Sequence, residues 1–177
     1  MYDDGPWRQL AHDLVKSIER DVTAVLDGID PALLDAPAED GTNRIGWLVW
    51  HLTRSHDRNG SELLGLPQLW THDGWHARFG RAADPDETGY RHATAEMAAF
   101  RSPAPEVLAA YHRAATQRLL SIVGSEPDLR RPAPSPTLGD TVTARERLAG
   151  VLVEGLEHAG QAALLRGLLE RRAAARR

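Results

Sequence analysis

His51, Glu154 and His158 are the residues whose types and spacing suggest chemistry in this chain. Glu154 and His158 stand four residues apart in Glu154-Gly155-Leu156-Glu157-His158-Ala159-Gly160-Gln161, so on a helix they project from one face, a turn apart. His51 lies about a hundred residues earlier, in the largely apolar run Trp47-Leu48-Val49-Trp50-His51-Leu52. Two imidazoles and one carboxylate make a three-ligand set for a divalent cation, provided that the two segments meet. A surface Glu–His pair explains the same spacing without a metal. A buried Glu154 would need a cationic partner, and Arg54 or Arg118 would serve as well as a metal ion.

The remaining histidines read differently. His56 is rotated by about 140° from His51 on a helix, which points it away from His51 and toward solvent. His12, His72, His76, His92 and His112 read as surface or loop residues. Gln161 follows His158 by one turn, where it could hydrogen-bond the second nitrogen of a ligand or a metal-bound species. Ser55 and His56 are adjacent and lack an orienting acid, so they form no triad. No glycine-rich phosphate loop, nucleophile elbow or HExxH helix is present.

Four long helical patterns must position these side chains. The first runs from about Trp7 to Asp27 with Leu10, Leu14, Ile18, Val22, Val25 and Leu26 as its apolar stripe. The second begins near Asn43, as N-cap, and reaches about Leu64. An irregular stretch from Gly65 to Gly89 follows, too long for a plain connector, and a short helix from Thr94 to Phe100 ends it. The third long helix starts after Ser102-Pro103, read as N-cap and first helical residue, with Val107, Leu108, Tyr111, Ala115, Leu119 and Ile122 as its face. A proline-rich break from Glu126 to Gly139 passes Pro127, Pro132, Pro134 and Pro136. Thr143 and Glu146 then form a capping box for the last helix, to about Arg172. No run alternates like a strand. The expected fold is an all-α four-helix bundle, residues 1–177 forming a single domain.

Composition narrows the function classes. With 42% hydrophobic and 26% charged residues the chain reads as an ordinary globular protein. A net charge of −4 offers no electrostatic basis for nucleic-acid binding, and the arginines of the last helix suit a helix C-terminus. No segment is long and apolar enough to span a bilayer, and Met1-Tyr2-Asp3-Asp4 carries no signal pattern, so a cytoplasmic protein is expected. There is no cysteine, hence no thiolate ligand and no cysteine nucleophile. Any thiol chemistry requires a thiol carried in by a small molecule. A single lysine, Lys16, among many arginines and alanines points to a GC-rich bacterial genome.

At Ile45-Gly46-Trp47-Leu48-Val49-Trp50-His51-Leu52 and at Glu154 to Arg166 the sequence resembles the second-helix and last-helix motifs of the DinB-like metalloprotein superfamily. The resemblance implies a DinB/YfiT-like four-helix bundle, with a long irregular loop between helices two and three, holding a divalent metal through three side chains. Carried over, His51 matches the first ligand and His158 the last. Glu154 stands where the wider family often has histidine; the maleylpyruvate isomerase branch is similar in using a glutamate there, so the resemblance points to the actinobacterial branch of mycothiol-dependent transferases and maleylpyruvate isomerases. The isomerases of that branch usually carry a further C-terminal domain, which makes a simple isomerase the less favoured expectation.

The resemblance thus implies zinc, with nickel or iron as alternatives, and mycothiol as cosubstrate. The expected activity is thiol S-transfer or thiol-assisted isomerisation, a metal-bound thiolate attacking a small-molecule electrophile. Substrate contacts are expected from the long loop, where Trp75, His76 and Arg78 would cover the open end of the bundle and Arg78 would bind a carboxylate, and from Trp47. Trp75 and Phe79 could equally just cap the core. The alternatives are a hydrolase using metal-bound water and a non-catalytic metal-binding stress or carrier protein. Either a monomer or a homodimer is compatible with the chain.

Overall fold

The computed structural model describes residues 5–125, 128–135 and 139–176. Met1 to Asp4, Glu126, Pro127, Pro136 to Leu138 and Arg177 lie outside the described residues. Four long helices, α1 (Gly5–Leu26), α3 (Ile45–Leu64), α7 (Pro105–Gly124) and α8 (Ala144–Ala174), form the bundle. Short helices occupy the connections: α2 (Pro31–Leu34), α4 (Leu69–His72), α5 (Trp75–Arg78) and α6 (Thr94–Ala99). Packing runs α3 against α7 and α8, and α1 against the same two, so α1 and α3 stand at opposite corners. Among the described residues no helix is long and apolar enough to cross a membrane.

Helix α3 is the central element. Every residue from Ile45 to Asp57 is buried, polar ones included, because α7, α8 and the long loop surround it. It starts at Ile45 with Arg44 as N-cap, one residue past the Asn43 N-cap expected from sequence, and no side chain caps it. It stops at Gly65, whose left-handed φ of 67° lets Leu66 N–H return to Ser61 O at 2.8 Å.

The other long helices follow their apolar periodicity with small rotations. In α1 the buried stripe is Ala11, Val15, Ile18, Val22 and Val25, whereas Leu10 is 63% exposed. Helix α7 begins at Pro105 after Ala104, not at Pro103, so the proline of its first turn is the one two residues later than expected. Helix α8 has the expected capping box: Glu146 N–H donates to Thr143 Oγ1 at 3.2 Å, and Thr143 N–H to Glu146 Oε2 at 2.8 Å. The Thr143 N–H and hydroxyl, both donating to Glu146 Oε2, hold this carboxyl below its ordinary range.

The proline-rich break corrects the expectation of a chain without strands. β1 (Pro132–Ser135) and β2 (Asp140–Thr143) pair antiparallel, Pro132 opposite Thr143 and Ser135 opposite Asp140. Such a short, proline-bearing ladder has no sequence alternation to reveal it. It is held by cations: Arg147 Nη1 donates to Pro134 O at 2.7 Å, and Arg131 donates to Leu63 O at the end of α3.

Candidate metal centre

The side of α3 that meets α8 carries His51, and the α8 residues that reach it are Glu154 and His158. Small residues permit the approach. Gly155 has no room for a side chain: a Cβ there would lie 2.7 Å from His56 Nε2 and 2.8 Å from Ile18 Cδ1. Together with buried Ala159 and Ala162, it lets α8 settle against its neighbours and carries the adjacent Glu154 to α3.

The carboxylate of Glu154 is held at both oxygens. Ser55, one turn beyond His51, donates its hydroxyl to Oε2 at 2.6 Å. Oε1 lies 3.1 Å from His51 Nε2 and 4.0 Å from His158 Nε2. Burial pushes this carboxyl up, but His51 in its protonated form, the Ser55 hydroxyl and the positive charge that His51 and His158 carry when protonated outweigh it and leave its pKa lowered.

Each imidazole is oriented through its other nitrogen. His51 Nδ1 lies 2.5 Å from Thr88 O, and a carbonyl only accepts, so Nδ1 carries the proton and Nε2 is the free donor atom. His158 Nδ1 lies 2.9 Å from Gln161 Oε1, with the same consequence. Two Nε2 lone pairs therefore converge on one carboxylate oxygen, an arrangement that repels unless a proton or cation lies between them. One donor atom from each of the three residues falls within 4.8 Å of the others. Bonds of about 2.0–2.2 Å from nitrogen and oxygen to a tetrahedral cation place donors about 3.3 Å apart, so small rotamer changes close the set. The cluster could hold a divalent metal ion.

A cavity of about 100 Å³ opens beside the cluster, lined by His51, Ser55, Arg58, Asn59, Thr88, Tyr90 and Glu154. It has room for a few water molecules or a small ligand group. Its cation is Arg58, paired with Glu62 at 3.2 Å and Asp86 at 2.7 Å. Asn59 donates to Ser55 O at 2.8 Å and accepts from Arg147 Nε at 2.6 Å, which braces the serine that holds Glu154.

The long loop contributes differently from expectation. Trp75 is buried and stacked on Tyr111 at 5.1 Å, while Arg78 is exposed with its guanidinium 4.3 Å over the Trp75 ring. His76 Nδ1 donates to Trp70 O at 2.9 Å. None of the three lines this cavity; Trp75 and Phe79 belong to the buried core, and the arginine in the cavity wall is Arg58. Trp47 is buried behind the site, stacked on His51 at 4.7 Å and 17°, and its Nε1–H donates to His92 Nδ1 at 3.3 Å. The loop's contribution is its end: the Thr88 carbonyl, Tyr90, and Gly89, where φ is 83° and a Cβ would meet Trp50 at 2.8 Å and His51 Nδ1 at 3.1 Å.

Two further histidines depart from the sequence reading. His56 is fully buried, because α8 and α1 pack over the side of α3 that was expected to meet solvent. Neither of its ring nitrogens has a hydrogen-bond partner, and burial, opposed by Glu154, pulls its pKa down to about 4. His112 is 1% exposed, with its ring centroid 5.6 Å from that of His56. Thr53 donates its hydroxyl to Val49 O at 2.7 Å, so His112 Nδ1 is the donor in the 3.1 Å contact with Thr53 Oγ1. Burial, with the charges of His56 and Arg113, pulls His112 well below the usual histidine range. Arg54 is not a partner of Glu154; its guanidinium pairs with Asp57 at 3.2 Å.

Sequence reasoning missed Ser55 as the holder of Glu154, and Arg58 and Asn59 as cavity walls, although their spacings of four, seven and eight from His51 place them along one side of α3. Thr88 acts through its backbone, which no side-chain pattern signals.

No curated protein matches the chain. Among solved structures it is similar to a conserved protein from Enterococcus faecalis, at 21% identity over 90% of this chain and 95% of that one, with a TM-score of 0.79; this likeness shows the fold. The profile of the DinB superfamily, whose members bind divalent metals, matches residues 15–162. The chain belongs to the DinB superfamily.

Proposed function

We propose that this protein is a divalent-metal-dependent thiol S-transferase or thiol-assisted isomerase, with His51, Glu154 and His158 as ligands. The observation that carries the reading is the convergence of two Nε2 atoms and Glu154 Oε1 beside a cavity. Neutral imidazoles and one carboxylate around a divalent ion leave a net charge of +1, which favours an incoming anion such as a thiolate. A divalent cation at this place supplies pKa depression, making a nucleophile of a thiol at neutral pH. The chain has no cysteine, so the thiol comes from a low-molecular-weight cosubstrate, mycothiol by resemblance. Zinc suits the donor set best, with nickel or iron as alternatives.

The residues take defined roles in this reading. Ser55 occupies Glu154 Oε2 and leaves Oε1 for monodentate ligation, which keeps positions open on the cavity side. Thr88 and Gln161 hold the two imidazoles in the ligating tautomer. Arg58 faces the cavity and is placed to attract an anionic group of the electrophile.

The small cavity favours a second reading, a hydrolase in which water takes the place of the thiol. Cobalt-substituted protein separates the two. Addition of mycothiol should produce a sulfur-to-cobalt charge-transfer band; if the spectrum stays unchanged, the thiol reading falls and the hydrolase reading stands. Metal analysis of untagged protein tests the site beneath both. Equally little metal in wild type and Glu154→Ala would remove it.

A further inference from the structure

We infer that the buried Arg54 is a positioning residue for His51, setting its tautomer and ring orientation through the backbone of residues 85–88. The inference rests on the metal-centre reading for its purpose, but not for its geometry.

Arg54 is fully buried, one turn past His51 on α3, and all five of its N–H donors are used. Nε donates to Glu87 O at 3.0 Å, and Nη2 to Pro85 O at 3.0 Å and Gln68 Oε1 at 2.9 Å. Nη1 donates to Asp57 Oδ2 and Tyr111 Oη, each at 3.2 Å. Asp57 closes the circuit at the other end of the loop. It accepts the Leu69 and Trp70 amides at 2.8 Å each and the Tyr111 hydroxyl at 2.7 Å.

One ion pair inside α3 therefore grips both ends of the long loop. The loop end it grips is the one that matters for chemistry. With the Pro85 and Glu87 carbonyls held by Arg54, the next carbonyl, Thr88 O, lies on His51 Nδ1. Gly89 seals the arrangement by lying against the His51 and Trp50 rings with no side chain between.

A planar fork with five donors can hold two carbonyls, an amide oxygen, a carboxylate and a phenol at once; a lysine, with three donors on a point charge, cannot. Isolated stabilisation of the core would not require Arg54 to reach two backbone carbonyls, Pro85 O and Glu87 O, at the end of this loop. Loosening the Thr88 carbonyl frees His51 to place its proton on Nε2, where it blocks ligation.

The test reads the His51 tautomer in metal-free protein by long-range proton–nitrogen correlation at pH 8. Wild type should show the proton on Nδ1. In Arg54→Lys, Nε2 protonation should appear, and zinc affinity, measured by chelator competition, should fall about tenfold to a hundredfold. If Arg54→Lys does not fold, Arg54→Gln combined with Asp57→Asn removes both charges together and should show the same two changes. Tyr111→Phe weakens the same network away from the loop carbonyls and should leave the His51 tautomer as in wild type. A folded Arg54 variant with wild-type tautomer and zinc affinity overturns the inference, as does Tyr111→Phe shifting His51 equally. A wild type that shows the Nδ1 tautomer but binds no zinc would sink the metal reading alone.

Discussion

His51 and His56 leave the same helix five residues apart, both buried, and meet opposite fates. His51 has a backbone carbonyl at one nitrogen and a carboxylate at the other, on the edge of a cavity. His56 has Gly155 against its ring, the His112 ring 5.6 Å away between centroids, and no partner at either nitrogen. Burial by itself thus does not make a histidine functional. Function requires that one nitrogen be tied so that the other is presented, and that something chemically useful share the space it faces. In the His56–His112 region the same side chain acts as core filling whose charged form the fold rejects.

That contrast can be broken most sharply through metal binding. Glu154→Ala should lower zinc affinity well over about a hundredfold, beyond the loss of an outer partner, while His56→Leu should change it less than about threefold. Chelator competition on the two variants checks this, and comparable losses would erase the distinction between the regions.

Acid titration should expose the core pair next. Between the ordinary histidine pKa near 6.5 and about 4, the unfolded chain binds a proton at His56 and the folded chain does not. Stability from this position is therefore undiminished above pH 6.5 and falls as pH drops toward 4, by about 3 kcal/mol. His112 is shifted in the same direction and adds to the loss. Urea midpoints at pH 7 and pH 4.5 measure the fall, and His56→Leu should flatten it; an unchanged slope would contradict the assignment.

The smallest effects concern the periphery. Gln161→Ala removes the partner of His158 Nδ1 and should cost about tenfold in zinc affinity. Arg78→Ala, at an exposed residue outside the cavity, should alter neither affinity nor stability by more than about 0.5 kcal/mol. A larger change at Arg78 than at Gln161 would restore the loop tip as part of the site.

Local rules made much of this legible. The Thr143–Glu146 box needs only residues three apart, and it starts α8 where the sequence places it. The Glu154–His158 step needs only helical periodicity, and its meeting with His51 followed from the family motif. The failures share a cause. His56 looked exposed because its burial depends on α8 closing over α3 at Gly155, a contact about a hundred residues distant along the chain, and His112 because its ring packs on His56 and Thr53 of another helix. Arg54 was weighed as a partner for Glu154, but the fold gives it Asp57 and two loop carbonyls.

By itself, then, the sequence determined the four helices, the capping box that starts α8, and the candidate ligand types on α3 and α8, because each depends on residues within a turn or two. Only the tertiary structure decided which histidines are solvated, which nitrogen each imidazole presents, and that Arg58 rather than Arg78 lines the cavity. Those outcomes are set by long-range packing, where a glycine without a side chain and a single carbonyl oxygen decide what a buried ring can touch.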